Sequence, residues 1–113
     1  MVAQKSRPTI ILLGRFEEAK SLLRKATPMA RRVLGSNHDL TLRIRSIYAA
    51  SLYKDPGATL DDVHEAVTTL EDTERIARRV LGGAHPLTKA IEFDLQKARA
   101  TLGARETPSG RSA

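Results

Sequence analysis

Ala30-Arg31-Arg32-Val33-Leu34-Gly35 is repeated, letter for letter, at Ala77-Arg78-Arg79-Val80-Leu81-Gly82. Each copy is followed by a histidine, His38 and His85, and then by Leu40-Thr41 and Leu87-Thr88, all at an offset of 47 residues. The correspondence extends upstream, where Glu18-Ala19 matches Glu65-Ala66 and Leu23 matches Leu70. An internal period of this length marks stacked supersecondary units, each burying its apolar face on the next. Such architectures mostly bind other macromolecules, so the expectation is a repeat protein with a binding role.

At 113 residues there is room for one domain. Two Phe, two Tyr and no Trp leave the core to Leu, Ile, Val and Ala, which suits packed helices. Cysteine is absent, which excludes disulfides, thiolate chemistry and Cys-type zinc sites. No apolar run approaches the ~20 residues of a membrane span. Residues 9–13 are far too short and no small-residue cleavage site follows them, so no signal peptide is expected. The compartment read from this is the reducing cytoplasm, with no membrane partner.

The charge is uneven. Residues 1–56 hold eleven Lys and Arg against four Asp and Glu, whereas residues 57–113 hold eight against nine. The first half therefore carries all of the net charge of +6. A basic half attracts nucleic acid, acidic peptides or acidic proteins. Nothing aromatic is interleaved for base stacking, so a solvated basic surface is preferred and nucleic-acid association is the alternative.

Residues 1–8 are polar and basic and end in Pro8; residues 9–13 read as the last turns of a clipped helix, and Gly14-Arg15 as a turn. From Phe16 to Leu34, Phe16, Ala19, Leu22, Leu23, Ala26, Met29, Ala30, Val33 and Leu34 recur at helical spacing. Pro28 inside that run predicts a kink. Gly35 stands where a left-handed cap belongs. Asn37 is placed to cap a third segment that ends near Tyr53 and is apolar on most sides, the pattern of a buried helix. Asp55-Pro56-Gly57 stops it. Thr59 and Asp62 have capping-box spacing ahead of a fourth segment that ends at Gly82-Gly83. Pro86 fits the first position of a fifth, whose apolar face is Leu87, Ala90, Ile91, Leu95, Ala98 and Leu102.

The fold expected is all-α, a stack of antiparallel helical hairpins. Its parts are an N-terminal segment 1–13, a repeat region 14–102 and a disordered tail 103–113. Within the repeat region the expected units are a helix over 16–34, a full unit over 38–81 and a further helix over 85–102.

Gly14-Arg15-Phe16-Glu17-Glu18-Ala19, then Leu22-Leu23, then the Ala-Arg-Arg-Val-Leu-Gly string and a His, together resemble a tetratricopeptide repeat. The closer resemblance is to the longer repeats of kinesin light chains and nephrocystin-3-like proteins, and it spans about residues 14–102. His85-Pro86 keeps that family's His-Pro step, and His38-Asp39 does not. The 47-residue offset is longer than the family's period, and a short insertion at residues 57–60 accounts for most of the excess. The resemblance implies an α-solenoid fragment. It also implies a concave groove lined by the first helix of each pair, where protein partners bind. Peptide-gripping members often carry an asparagine in that helix; Tyr48 stands in its place here.

Arg43, Arg45, Tyr48, Ser51 and Lys54 lie on the segment that would line such a groove. Acidic peptides or C-terminal carboxylates would suit its Arg and Lys. The competing reading makes Tyr48 a core residue and the charges solvated. His38 and His85 are repeat-equivalent and so displaced from each other, which favours capping over metal ligation. His64 lies beside Asp61 and Glu65, where an exposed helix face explains it better than acid–base chemistry does. The Arg31-Arg32 and Arg78-Arg79 pairs end two long helices and complement their dipoles; phosphate binding is the alternative.

The function expected is a non-catalytic interaction module, an adaptor with no cofactor and no metal. Kinesin heavy chain or cargo are partners by resemblance only. The alternatives are nucleic-acid association through the basic half, and a degenerate or capping repeat without its own activity. Open repeat ends also allow homo-oligomers.

Overall fold

A computed structural model describes the backbone of residues 2–106 and the side chains of residues 15–106. Its elements are four helices, α1 (Val2–Leu34), α2 (Asp39–Tyr53), α3 (Leu60–Val80) and α4 (Pro86–Glu106). There is no strand among the described residues. Consecutive helices pack in antiparallel pairs, and α2 packs against α1, α3 and α4. This is the all-α, tetratricopeptide-like hairpin stack that the internal repeat calls for.

The repeated string builds the same corner twice. Gly35 and Gly82 have φ of +96° and +93°, the left-handed conformation that ends a helix and that side chains resist. In each corner the glycine carbonyl accepts the histidine N–H three residues on, at 3.4 Å for His38 and 3.3 Å for His85. Each histidine then caps the next helix. Nδ1 of His38 accepts the Leu40 N–H at 3.1 Å, and Nδ1 of His85 accepts the Leu87 N–H at 3.0 Å. The cap of α2 is therefore His38 and not Asn37. The turn back to the Gly35 carbonyl places the imidazole, one residue later, over the first free N–H groups.

Thr59 begins α3 with a reciprocal capping box. Its hydroxyl accepts the Asp62 N–H at 3.1 Å, and the Asp62 carboxylate accepts the Thr59 N–H at 3.2 Å. The core is aliphatic, as the composition requires. Leu42, Leu52, Val63, Leu70 and Ile91 are fully buried among alanines. Burying each such side chain contributes about 1.5–3 kcal/mol.

Two local expectations differ from the structure. Gly14-Arg15 is helical and not a turn, because α1 is continuous from Val2 to Leu34. A glycine inside a helix costs only about 1 kcal/mol relative to alanine, so it permits a break without forcing one. The kink expected at Pro28 implies a bend and not a break, and α1 continues through that residue, whose ring is exposed. One residue earlier the Thr27 hydroxyl donates to the Leu23 carbonyl at 2.7 Å, a local bond between side chain and backbone at the proline's turn. Finally, α4 passes Gly103 and ends at Glu106. Two tertiary contacts hold that last turn: Arg105 donates to the Ala58 carbonyl, and Glu106 meets His64 Nε2 at 2.9 Å. The rest of the expected tail, residues 107–113, lies outside the described residues.

Candidate functional site

The five groove candidates on α2 divide into two sets. Arg45, Tyr48 and Ser51 are buried, and Arg43 and Lys54 are exposed. Helical spacing explains the division. Residues 45, 48 and 52 turn towards α1 and α3, while 43, 47, 50 and 54 share the outer stripe.

The buried set ties three helices together. Arg45 donates to Asp72 on α3 at 2.7 Å, and Asp72 also accepts from Arg75 at 2.9 Å. The bond from Arg45 holds the Asp72 carboxyl below its usual range, against the opposing effect of partial burial. Tyr48 lies between α1 and α3. Its hydroxyl donates to Glu65 at 2.6 Å and accepts from Arg24 Nε at 3.2 Å. Burial, and then the bond to Glu65, push its pKa up. Arg24 also sits 5.8 Å from the Tyr48 ring centroid and 3.7 Å from Glu65. Ser51 donates back to the Tyr48 carbonyl at 2.6 Å. Tyr48 and Ser51 are thus committed within the fold, and Arg45 is buried, its Nη1 without a hydrogen-bond partner.

The exposed set is different. Arg43 and Lys54 form no ion pair among the described residues. On α4 the same register carries Ala90 and Lys97, each 47 residues on from Arg43 and Ala50. Lys97 lies 5.0 Å from the ring centroid of Phe93, which is 58% exposed. Tyr53 on α2 donates to Asp94 on α4 at 2.7 Å, so the two outer stripes are neighbours. That bond and burial together push the Tyr53 hydroxyl well above its ordinary pKa, burial being the larger cause. Arg43 and Lys54 are thus exposed on one helix, and Phe93 and Lys97 on the helix bonded to it.

Sequence reading missed Phe93 and Lys97. The signal was present: Phe93 falls off the apolar stripe of its own helix, which an aromatic residue does when something other than the core occupies it. Lys25, Arg31, Arg32, Arg79 and Lys89 likewise form no ion pair among the described residues, whereas other cations are engaged. Arg78 pairs with Glu74 at 2.8 Å and with Glu92, and Arg99 pairs with Glu71 at 3.0 Å.

Among the described residues no group of three or more His, Cys, Asp or Glu is arranged to hold a metal ion. The three histidines are apart in function as well as in place: two are caps, and His64 joins the start of α3 to the end of α4. No described helix is long and apolar enough to cross a membrane.

A tetratricopeptide repeat family model matches residues 11–39. The matched stretch runs from within α1 through the first left-handed corner to the start of α2, and so contains the first copy of the repeated string. No curated protein and no solved structure matches the chain. The match supports a tetratricopeptide repeat, and the second copy of the string forms the same corner outside the matched residues.

Proposed function

We propose that the chain is a non-catalytic protein-interaction module that binds an acidic peptide segment along the outer stripes of α2 and α4. What supports this is that Arg43, Lys54 and Lys97 are exposed and form no ion pair among the described residues, on two helices that the Tyr53–Asp94 bond joins, with Lys54 5.9 Å from the Tyr53 ring centroid and Lys97 beside the exposed Phe93. A tetratricopeptide repeat suggests protein partners, and this face has the chemistry to choose among them: charge to recognise carboxylates, one aromatic ring to receive an apolar side chain. Tyr48 is committed to Glu65 and Arg24, so recognition of the backbone by an asparagine at that place is replaced by recognition of charge. Kinesin-light-chain-like cargo adaptation is the narrower form of this reading, supported by the resemblance of the repeats. The cytoplasm is the compartment that goes with it.

The test is a fluorescence titration with a labelled peptide of alternating Glu and Leu ending in a free carboxylate. Reversing Arg43, Lys54 and Lys97 to Glu should weaken binding at least about tenfold, since three exposed charge contacts contribute on the order of 0.2–1 kcal/mol each before repulsion is added. Helix content should not change. Unchanged affinity would exclude this face. Equal affinity for a single-stranded DNA of the same charge would favour the basic, sequence-independent alternative.

A further inference from the structure

A groove of about 240 Å³ opens between α1 and α2, lined by Phe16 and Ala19 on one side and by Ile47, Ala50 and Ser51 on the other, with Arg15 and Lys54 at its rim. It is larger than the roughly 150 Å³ that admits a benzene-sized group. Ile47 is 54% exposed at its wall. An apolar recess beside an exposed isoleucine is a seat without an occupant.

The repeat shows what belongs there. One period of 47 residues on, Phe16, Ala19 and Ser51 become Val63, Ala66 and Ala98. Val63, Ala66 and Ala98 are each 0% exposed. Their seat lies between α3 and α4, and α2 fills it. The open groove is therefore shaped for a helix that runs antiparallel to α1, as α2 runs to α3.

The chain contains a segment in the matching register. Aligned on Gly14 and Gly57, which precede the two equivalent helical stretches, Ile10 corresponds to Tyr53. In the filled seat Tyr53 bonds to Asp94. Asp94 corresponds to Ile47 one period back. The polar pair Tyr53–Asp94 is thus matched by the apolar pair Ile10–Ile47. Residues 2–13 make about 18 Å of helix, against about 22 Å for the 15 residues of α2, and so cover most of such a seat.

They cannot reach their own groove as α1 stands. The helix is continuous from Val2 to Leu34, which carries residues 2–13 onward from Phe16 rather than back along it. Reaching it requires a break at Gly14-Arg15. A second copy related by a two-fold axis, with its α1 antiparallel, lays the same residues in the groove with no break at all. This is the geometry of a reciprocal exchange, and a closed two-fold pair satisfies both grooves at once.

We propose that two copies of the chain exchange their N-terminal helical halves, residues 2–13 of each filling the α1/α2 groove of the other, with Ile10 against Ile47. This pairing shares the α2 stripe with the basic face, since Ile47 and Ala50 line the groove and Lys54 stands at its rim, so residues 2–13 of the second copy and an acidic peptide compete at Lys54 while Arg43, Phe93 and Lys97 lie outside the groove lining.

Light scattering coupled to size exclusion should give twice the 12.4 kDa of one chain. Ile47→Glu places a charge in an apolar recess and should raise the dimer dissociation constant at least tenfold. Ile47 is exposed in the single copy, so helix content should be unchanged. The chain has no cysteine, so Ile10→Cys with Ile47→Cys gives a clean second reading. On oxidation a reducible covalent dimer supports the exchange. A one-chain mass at every concentration, an internal Cys–Cys bridge, no bridge at all, or a dimer indifferent to Ile47→Glu would each overturn it.

Discussion

Ala19 and Ala66 occupy the same place in two copies of one repeat, yet Ala66 is fully buried under α2 while Ala19 lines an open groove. The helices beneath them are equivalent; what differs is the helix on top. For Ala66 the covering helix is α2, the preceding element of the same hairpin. For Ala19 the residues that would form it continue α1 as one helix. Burial in a repeat stack is thus a property of neighbours and not of the local sequence, which is why nearest-neighbour contacts dominate the stability of such chains.

The sharpest way to break the comparison is to charge both alanines. Ala66→Glu leaves an uncompensated carboxylate in the core and should cost about 3–5 kcal/mol, enough to unfold a small domain, as read from a urea titration. Ala19→Glu should leave the fold of one chain intact and act only on whatever occupies the groove. Equal losses in the single chain would mean that the two seats are equally filled.

A smaller effect tests the part of the repeat that is the same in both copies. Gly35→Ala and Gly82→Ala meet no atoms within 4 Å, so only the backbone is strained. Each should cost about 1 kcal/mol in thermal or urea unfolding, the left-handed penalty less the entropy that alanine removes from the unfolded chain. Clearly unequal losses at these two sites would show that the corners are not equivalent.

Much of the fold was legible because repetition removes ambiguity. Two identical strings ending in glycine, each followed by a histidine three residues later, marked two helix ends and two helix starts. The structure places a left-handed glycine and a histidine cap at both. What the sequence misled on was punctuation that only permits. Gly14 and Gly103 both sit inside helices, because a single glycine costs less than the contacts or continuity on either side supply. Nothing in the local composition announced that Arg105 and Glu106 would find Ala58 and His64, which lie more than 40 positions back.

The candidate site was legible in outline only. Helical spacing alone placed Arg43, Arg45, Tyr48, Ser51 and Lys54 on one element, but their fates depend on partners across helices. Arg45 and Tyr48 are claimed by Asp72, Glu65 and Arg24, from α3 and α1. Phe93 and Lys97 join the exposed pair only because Tyr53 and Asp94 draw α4 alongside α2. Pairings of that kind are tertiary, and a single sequence records their members without their matches.

The measurement that tests the account most directly is thiol labelling of Ala19→Cys and Ala66→Cys across a dilution series, in a chain with no other cysteine. Predicted is a thiol at 66 that is protected at every concentration, and one at 19 that is protected in concentrated protein and reactive on dilution. Equal protection of both at the highest dilution, or prompt reaction at 66 in the folded chain, would contradict a repeat whose one seat is closed within the chain and whose other is open.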